Sequence, residues 1–436
     1  MHSLRLIPLA CLVLMGTYAS AVAQPTVTGL EGALSQGQQI AIYGSSFGFK
    51  SHAAPLRWDD FQNGEPSACT DPPCDPGYIY TNGNVVMIDR DMLNLYDGVF
   101  DTQPYECKRP YYSNVKQRFA GDVCVAQDFW SAPLGCGSGR ALCVLDQEST
   151  VWYVSFWAYQ DDYAGTARYN TNNKIRSNFT TAGSGYNDTY FQWRWDEYWD
   201  RIGTGLPGSD PESDNDIIWE NPGGHAFGYD CRAQAGDFSP YGLHDTWGIY
   251  RDIRNRWVRT EVILDLGDPG IANGLHAGYY NGEAIFEAAG VFTPANIGDC
   301  ALSDKIGTLQ IGHYFRSSDN PPPRSFPNAT PALMVQYISE LYVDHSCARV
   351  EIGNAPTWNA CTHREIQIPT AWNNNSITVT GNVGTFTTGT QVYLFVVDEN
   401  RQPSVGFPVI IGEDNQQGDL GVPGVPGTVT FTQIED

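Results

Sequence analysis

The run NRWVRTEVILDLGDPGIANGLHAGYYNGEAIFE, residues 255–287, alternates apolar and polar residues at a period of two, with breaks rich in Gly, Asn, Asp and Pro. This alternation is typical of β-strands with one buried face, and the breaks are typical of turns. We predict strands at 256–264, 276–280 and 283–286, joined by short turns. The run therefore specifies an antiparallel β unit.

The same pattern extends outward from this run in both directions. Further strands are predicted at 151–159, 173–179, 190–196, 308–315 and 335–344, separated by loops rich in Pro, Asp and Gly. The chain has 24 Tyr, 19 Phe, 12 Trp and 45 Gly, a composition that favours strands and turns. The predicted fold class is all-β, with a large antiparallel jelly-roll sandwich. Residues 51–139 are rich in cysteine and should contain few strands.

Two β segments lie at the chain ends. The segment PTVTGLEGALSQGQQIAIYGSSFG, residues 25–48, gives two short strands and then stops, whereas residues 364–412 give four more. The first segment carries Gly37-x-x-Ile40-x-Ile42-x-Gly44-x-x-Phe47-Gly48, and the second carries Trp372, Ile377, Val379 and Ser404-Val405-Gly406-Phe407. Together they resemble the two halves of an IPT/TIG immunoglobulin-like domain.

This resemblance implies a split domain. We expect residues 25–50 and 362–412 to form a small Ig-like sandwich, with the jelly roll of residues 51–361 inserted between them, because neighbouring termini tolerate insertions. Two unrelated β segments at the chain ends are the alternative. Residues 413–436, acidic and rich in Gly and Pro, are expected to be a flexible tail.

The first 23 residues have the features of a secretory leader. Arg5 precedes an apolar run, and Ala21-Val22-Ala23 provides a small-residue cleavage site. We expect a secreted, periplasmic or cell-surface protein without membrane insertion. A formal net charge of −24 repels nucleic acid, so a nucleic-acid partner is not expected.

Ten of the eleven cysteines follow the leader, and an even number in an oxidising compartment favours disulfides. Proximity in the sequence suggests the pairs Cys69–Cys74, Cys107–Cys124, Cys136–Cys143, Cys231–Cys300 and Cys347–Cys361. Other pairings remain open, because sequence alone does not determine connectivity.

The central run also resembles the concanavalin A-like lectin and glucanase jelly rolls. Trp257-Val258-Arg259-x-Glu261, the turn at Asn273-Gly274 and the strand ending in Asn281-Gly282-Glu283 match their hairpins, and residues 335–344 resemble the closing strand. The resemblance implies a carbohydrate-binding fold with a concave sheet. Its implied partner is a polysaccharide.

Strand alternation assigns side chains to faces and so predicts a binding surface. If the strands share one sheet, one face carries Lys174, Arg176, Gln192, Arg194, Trp257, Arg259, Glu261, Gln310 and Tyr314. Forked donors and planar aromatics suit carboxylates and sugar rings. The alternative interpretation is that Arg259, Glu261 and their neighbours form cross-strand ion pairs on a solvated sheet.

An enzymatic function is a second hypothesis. Arg259-Thr260-Glu261, Gln310-Ile311-Gly312-His313 and Ala277-Gly278-Tyr279-Tyr280-Asn281 are similar to motifs of jelly-roll alginate lyases, in a different order. That resemblance implies β-elimination on a uronate polymer, with Arg259, Gln310, His313 and Tyr314 as catalytic candidates. Without a bulge, the inserted Gly312 puts His313 on the apolar face. The E-x-D-x-x-E motif of retaining endoglucanases is absent from the sequence.

No cofactor is expected, although an acidic loop could hold calcium. Asp210, Glu212, Asp214 and Asp216 alternate in a Pro/Gly-rich segment, and oxygen ligands of this kind suit calcium. A solvated acidic loop explains the same residues. The leading functional hypothesis is a secreted glycan-recognising protein; the alternatives are the polysaccharide lyase and a structural or adhesive surface protein.

Overall fold

A computed structural model describes most of the predicted strands. The described residues are 23–63, 81–82, 85–88, 111–130, 141–144, 148–160, 171–181, 189–198, 224–228, 246–247, 255–268, 271–292, 305–317 and 333–414. Residues 1–22 of the predicted leader and residues 415–436 of the predicted tail lie outside this set, as does most of the cysteine-rich segment. Among the described residues, no helix has the length and apolarity needed to cross a membrane.

The described chain is built from β-strands, with one 3-10 turn at Trp358–Ala360. In chain order the strands are β1 (Thr26–Glu31), β2 (Gln39–Ser45), β3 (Arg57–Asp59), β4 (Thr81–Asn82), β5 (Val85–Ile88), β6 (Tyr111–Ser113), β7 (Cys124–Trp130), β8 (Ala141–Val144), β9 (Val151–Gln160), β10 (Thr171–Thr181), β11 (Thr189–Tyr198), β12 (Gly224–Gly228), β13 (Thr246–Trp247), β14 (Trp257–Asp265), β15 (Ala272–Tyr280), β16 (Glu283–Phe292), β17 (Ile306–Ser317), β18 (Leu333–Asp344), β19 (Arg349–Gly353), β20 (Arg364–Asn373), β21 (Ser376–Thr380), β22 (Gln391–Val397) and β23 (Phe407–Ile410).

Two antiparallel sheets form the large sandwich. The front sheet has the order β13-β12-β11-β10-β17-β8-β5-β4, and the back sheet has the order β16-β15-β14-β9-β18-β7-β6, with β3 also paired to β18. Their shared core contains Leu309 and Ile311 of the front sheet together with Trp152, Val154 and Phe156 of the back sheet. The predicted all-β fold class is therefore confirmed.

A third sheet joins the two ends of the chain. This chain-end sheet has the order β1-β2-β21-β20-β19-β22-β23. Strand β2 pairs with β21, so that Ile42 lies opposite Ile377, and both side chains are buried. Strand β20 pairs with β19 through its first half and with β21 through its second, and Pro369 lies at the register shift between them. Proline is tolerated at such irregularities because it cannot donate to the ladder.

The chain-end sheet folds into a small sandwich around its own core, which contains Leu30, Ile40, Ile352, Leu394 and Val409. The predicted boundaries, 25–50, 51–361 and 362–412, assign β19 to the inserted domain. Instead, β19 pairs with β20 and β22 in the chain-end sheet. Membership of this sandwich in the IPT/TIG class remains a prediction.

The predicted disulfides are wrong wherever the structure describes the thiols. Cys124, Cys347 and Cys361 are free and buried, so neither Cys107–Cys124 nor Cys347–Cys361 is formed. The sulfur of Cys361 lies 3.4 Å from the carbonyl oxygens of both Ala355 and Thr357. For Cys347 and Cys361, proximity in the sequence was misleading, because the extended strand β19 lies between them in the chain. Cys69–Cys74 and Cys231–Cys300 lie outside the described residues, as does Cys136 of the pair Cys136–Cys143.

Replacing Ile42 with alanine tests the pairing of the chain ends. Ile42 is fully buried, so we expect the free energy of unfolding to fall by about 2–5 kcal/mol, as for other buried Ile to Ala changes. Gln39→Ala is the matched control, because Gln39 belongs to the same strand and is exposed. Equal stability of the two variants in urea denaturation would show that the first strands are not part of the folded core.

Candidate functional site

The residues predicted to form one binding face lie on two different sheets. Strand β14, which carries Trp257, Arg259 and Glu261, belongs to the back sheet, whereas β10, β11 and β17 belong to the front sheet. The expectation of a single face is therefore wrong for these three residues. Alternation had grouped residues correctly within each strand, but it carries no information about which sheet a strand joins.

Arg259 lies in a buried seam between the back sheet and the chain-end sheet. Its side chain is 2 % exposed, and its Nη1 donates to Glu351 Oε2 at 2.8 Å. Its Nε donates to Ser155 Oγ at 3.0 Å, and its Nη2 donates to Tyr153 OH at 3.1 Å. These contacts bridge the two sandwiches, so the guanidinium is fully engaged within the protein.

Two more arginines complete this cluster around Glu351. Arg349 Nε lies 2.6 Å from Glu351 Oε1, and Arg364 Nε lies 2.9 Å from Glu351 Oε2. Arg364 also lies 3.2 Å from Glu261 Oε2, which places the second carboxylate in the same network. We call Arg259, Glu261, Arg349, Glu351 and Arg364 the arginine seam. It contains three guanidinium groups and two carboxylates.

A tight hairpin makes room for the arginine seam. Asn281 and Gly282 form the two-residue turn between β15 and β16, and both have positive φ, 49° and 80°. Asn-Gly is favoured in such turns because both residues tolerate left-handed backbone. A Cβ at position 282 would lie 2.4 Å from Arg364 Nη2, so glycine also allows the guanidinium to approach. The Asn-Gly pair seen in the sequence therefore forms a turn that leaves space for Arg364 of the arginine seam.

Opposite charges within the seam keep Arg259 and Glu351 ionised. Burial lowers the pKa of Arg259, but the charges of Glu261 and Glu351 outweigh burial and hold that pKa well above its usual value. Burial raises the pKa of Glu351, and Arg259, Arg349 and Arg364 together bring it well below the usual value. Arg259 and Glu261 are thus ion-pair partners, as the alternative interpretation held, although in a buried seam instead of on a solvated sheet.

The front sheet brings the other six predicted binding residues onto one face. On β10, Lys174 pairs with Tyr314 and Arg176 pairs with Gly312 of β17. Because directly paired residues of antiparallel strands lie on the same face, the register of β10 with its two neighbours unites the set Lys174, Arg176, Gln192, Arg194, Gln310 and Tyr314. Leu309 and Ile311 are buried in the core on the opposite face. We call the face with Gln310 the outer front face.

The register adds three residues that the sequence analysis did not include in the site. His225 of β12 pairs with Arg194 and with Trp247 of β13, which places both on the outer front face. Arg316 pairs with Asn172, two residues before Lys174, and so lies on the same face. The alternation of β17 puts Arg316 on the face of Tyr314, whereas β12 and β13 are too short to give an alternation signal.

His313 lies on the opposite face from Tyr314. It pairs with Ile175, and the register of β17 with β10 is unbroken from Leu309 to Ser317. No bulge turns His313 back, so it shares the face of Leu309 and Ile311. The four catalytic candidates are therefore separated: Arg259 is in the seam, His313 is on the core-facing side, and Gln310 and Tyr314 are on the outer front face.

Metal binding has no candidate in the described part of the chain. No group of three or more His, Cys, Asp or Glu residues there could hold a metal ion. The predicted calcium loop, Asp210, Glu212, Asp214 and Asp216, lies outside the described residues.

Comparison with known proteins gives structural likenesses only. No family model matches the sequence, and no curated protein matches it. Similar solved structures include the alginate lyase Aly36B, at 12 % identity and a TM-score of 0.33, covering 54 % of this chain and 83 % of that one.

Two further structures are similar. The marine alginate lyase from Aplysia kurodai has 10 % identity and a TM-score of 0.34, and the match covers 54 % of this chain and 86 % of that one. The endo-beta-1,4-glucuronan lyase from the fungus Trichoderma reesei has 13 % identity and a TM-score of 0.28, and the match covers 57 % of this chain and 93 % of that one. Values this low establish neither activity nor substrate for this chain.

Proposed function

We propose that this chain is a secreted polysaccharide-binding protein whose outer front face holds an acidic polymer. The observation that carries the proposal is the pairing of Arg176 directly opposite Arg194, with His225 next in the same row. Like charges placed directly opposite each other destabilise a sheet. A bound anion would compensate that cost, so the row favours a carboxylate-bearing ligand.

The distribution of charge over the whole chain strengthens the argument. The protein has 25 basic residues against 49 acidic ones, so its overall field repels anions. The outer front face nevertheless collects Lys174, Arg176, Arg194 and Arg316 on three adjacent strands. Asp196, opposite Lys174, is the acidic residue that the register places among them. A local basic stripe on an acidic protein supports selection of an anionic ligand.

The uncharged residues of this face suit sugar rings. Gln310, Asn178, Gln192 and Phe227 form one row across four strands, and Tyr314 lies in the row beyond Arg176. Amide groups bind hydroxyls, and aromatic rings provide flat apolar surfaces for pyranose rings. Cationic, amide and aromatic residues together favour a uronate polysaccharide over an isolated anion.

A lyase is the second candidate, and the position of His225 favours it. His225 shares the outer front face with Arg194, Tyr314 and Gln310, so a base and a carboxylate-neutralising group lie on the same surface. β-Elimination on a uronate needs both. In this version His225 replaces His313 as the histidine, and Arg194 replaces Arg259 as the neutralising cation.

Affinity electrophoresis in gels that contain single polysaccharides tests the proposal. We expect retardation by uronate polymers, weakening as salt is raised, and no retardation by neutral glucans. Ultraviolet absorbance of the same mixtures reports the unsaturated uronate product, and its increase would establish the lyase version. Retardation without an increase in absorbance supports binding alone. Absence of retardation by every polymer would contradict the proposal and favour a structural or adhesive protein.

A further inference from the structure

A second buried ion-pair cluster lies between the two sandwiches. Unlike the arginine seam, it has more carboxylates than guanidinium groups. Arg118 Nη1 lies 2.7 Å from Glu340 Oε2, while its Nη2 donates to Glu365 Oε1 at 2.5 Å. The three side chains are 1 %, 4 % and 0 % exposed. One guanidinium therefore faces two carboxylates away from water, and with both ionised the trio carries a net negative charge.

The three residues come from different parts of the fold. Arg118 lies between β6 and β7, Glu340 is on β18 of the back sheet, and Glu365 is on β20 of the chain-end sheet. Asn382, between β21 and β22, donates to Glu340 Oε2 at 3.2 Å. The trio therefore holds the chain-end sandwich against the large sandwich.

A β-bulge places Glu340 in this cluster. The register of β18 with β9 shifts between Ser339 and Tyr342, and Glu340 has a φ of 52°. Such a φ is uncommon for a residue with a side chain, and bulges re-aim side chains. Regular alternation would put Glu340 on the core-facing side with Ile338, which is buried there. The backbone thus adopts an unfavourable conformation that delivers a carboxylate to the seam.

Three further groups packed against the trio contact Arg118 or Glu365. From β9, Trp157 packs its ring 4.1 Å from the Arg118 guanidinium and donates Nε1 to Glu365 Oε2 at 3.2 Å. From the chain-end side, His363 Nε2 lies 2.9 Å from Glu365 Oε1, and its side chain is 27 % exposed. Asp122 accepts a hydrogen bond from the backbone N–H of Arg118 at 3.0 Å, which adds a further acidic group nearby.

We propose that Glu340 is a proton-operated latch between the two sandwiches. When Glu340 is protonated, Arg118 and Glu365 form a neutral pair and the chain-end sandwich is docked firmly. When Glu340 ionises, the seam acquires an uncompensated buried charge and loosens. The latch makes the contact between the two sandwiches weaker in alkaline than in acidic surroundings.

The pKa values agree in direction with this latch. Burial raises the pKa of Glu340 to about 7, with the charge of Glu365 adding to the rise and Arg118 opposing it. Because the pKa is raised on docking, the stabilisation is complete below the usual value of about 4.5 and is lost as pH rises through about 7. Burial also raises the pKa of Glu365, but Arg118 and His363 bring it below the usual value, so Glu365 stays ionised in this range.

Other titrating groups act in different ranges or are separable by mutation. Burial lowers the pKa of His345, at the end of β18, to about 4, so its stabilisation is complete above its usual value of about 6.5 and is lost as pH falls towards 4. Burial raises the pKa of Asp344 despite its ion pair with Lys50. Glu340→Gln keeps these groups and removes only the latch proton.

Alkylation of Cys347 by iodoacetamide measures opening of the seam. Cys347 is 2 % exposed and packs with Tyr153, Ile263, Tyr342 and Ile366 between the two sandwiches. Burial raises the pKa of its thiol to about 11, so labelling requires opening. Wild type and Glu340→Gln are compared at equal pH by peptide mass spectrometry, so the intrinsic pH dependence of the thiol cancels.

Between pH 6 and pH 8 we expect the labelling rate of the wild type, divided by that of Glu340→Gln, to rise about tenfold. Glu287→Gln, on the exposed part of β16, is the matched control and should follow the wild type. A ratio that stays constant across this range overturns the latch. If Glu340→Gln does not fold, Glu365→Gln replaces it: loss of the second carboxylate should abolish most of the pH dependence, and an unchanged dependence overturns the proposal.

Discussion

Replacing Glu351 with glutamine lowers the free energy of unfolding by about 3–5 kcal/mol, the cost of leaving buried charges without their partner. Glu351 is fully buried, and its carboxylate oxygens lie 2.6–2.9 Å from guanidinium nitrogens of Arg259, Arg349 and Arg364. After the change, three buried guanidinium groups face Glu261 as their remaining carboxylate in the seam. Urea denaturation of the wild type and the variant measures the loss.

The charge count of the arginine seam makes a second comparison informative. Arg259→Met leaves two guanidinium groups against two carboxylates, so we expect it to cost less than Glu351→Gln, about 1–3 kcal/mol from unpaired polar groups. Glu287→Gln, exposed on β16 of the back sheet that also carries Arg259, should change stability by no more than about 0.5 kcal/mol. If Glu351→Gln unfolded with the same free energy as the wild type, the claim that these charges hold the two sandwiches together would be wrong.

Replacing Arg194 with glutamine weakens binding of a uronate polymer by about 10- to 100-fold, because a charge-assisted contact is lost. Stability should stay equal or increase slightly, since the repulsion between Arg194 and its cross-strand partner Arg176 is relieved. This combination of weaker binding with unchanged or higher stability is typical of a binding residue. Titration calorimetry with a defined oligouronate measures the affinity.

Lys305→Gln is the matched control for the loss of one positive charge. Lys305 precedes β17, its side chain is 45 % exposed, and its ammonium group lies 3.6 Å from Glu148. We expect its effect on affinity to be less than about twofold, through the long-range field alone. Equal losses in both variants would mean that the ligand senses only net charge, and the outer front face would lose its assigned role.

The sequence was sufficient to predict the long strands of the large sandwich and the faces within each strand. The expectation of few strands in residues 51–139 was wrong, because β3 to β7 lie there. Period-two alternation separates Arg259 and Glu261 from Val258 and Val262. The structure keeps that separation, with the valines in the sandwich core and the charged pair in the arginine seam. The sequence did not predict which sheet each strand joins. Alternation is a property of a single strand, whereas sheet membership depends on pairing with strands that are distant in the sequence. The polar face of β14 was therefore predicted to be a binding surface, although the chain-end sandwich covers it.

Two local features lie beyond the reach of period-two alternation. Strand β12, Gly224–Gly228, is short and bounded by glycine, so His225 gave no strand signal although pairing puts it beside Arg194. The bulge at Glu340 shifts the period of β18 by one residue, and alternation has no means of placing such a shift. In both places the decisive information lies in the hydrogen-bonded neighbour strand.

Hydrogen exchange measured by mass spectrometry, with and without a uronate polymer, tests most directly that the outer front face is the ligand surface. We expect slower exchange in peptides that cover Thr171–Thr181, Thr189–Tyr198 and Ile306–Ser317, with Trp257–Asp265 unchanged. Slower exchange confined to Trp257–Asp265, or no change in any peptide at saturating polymer, would contradict this expectation.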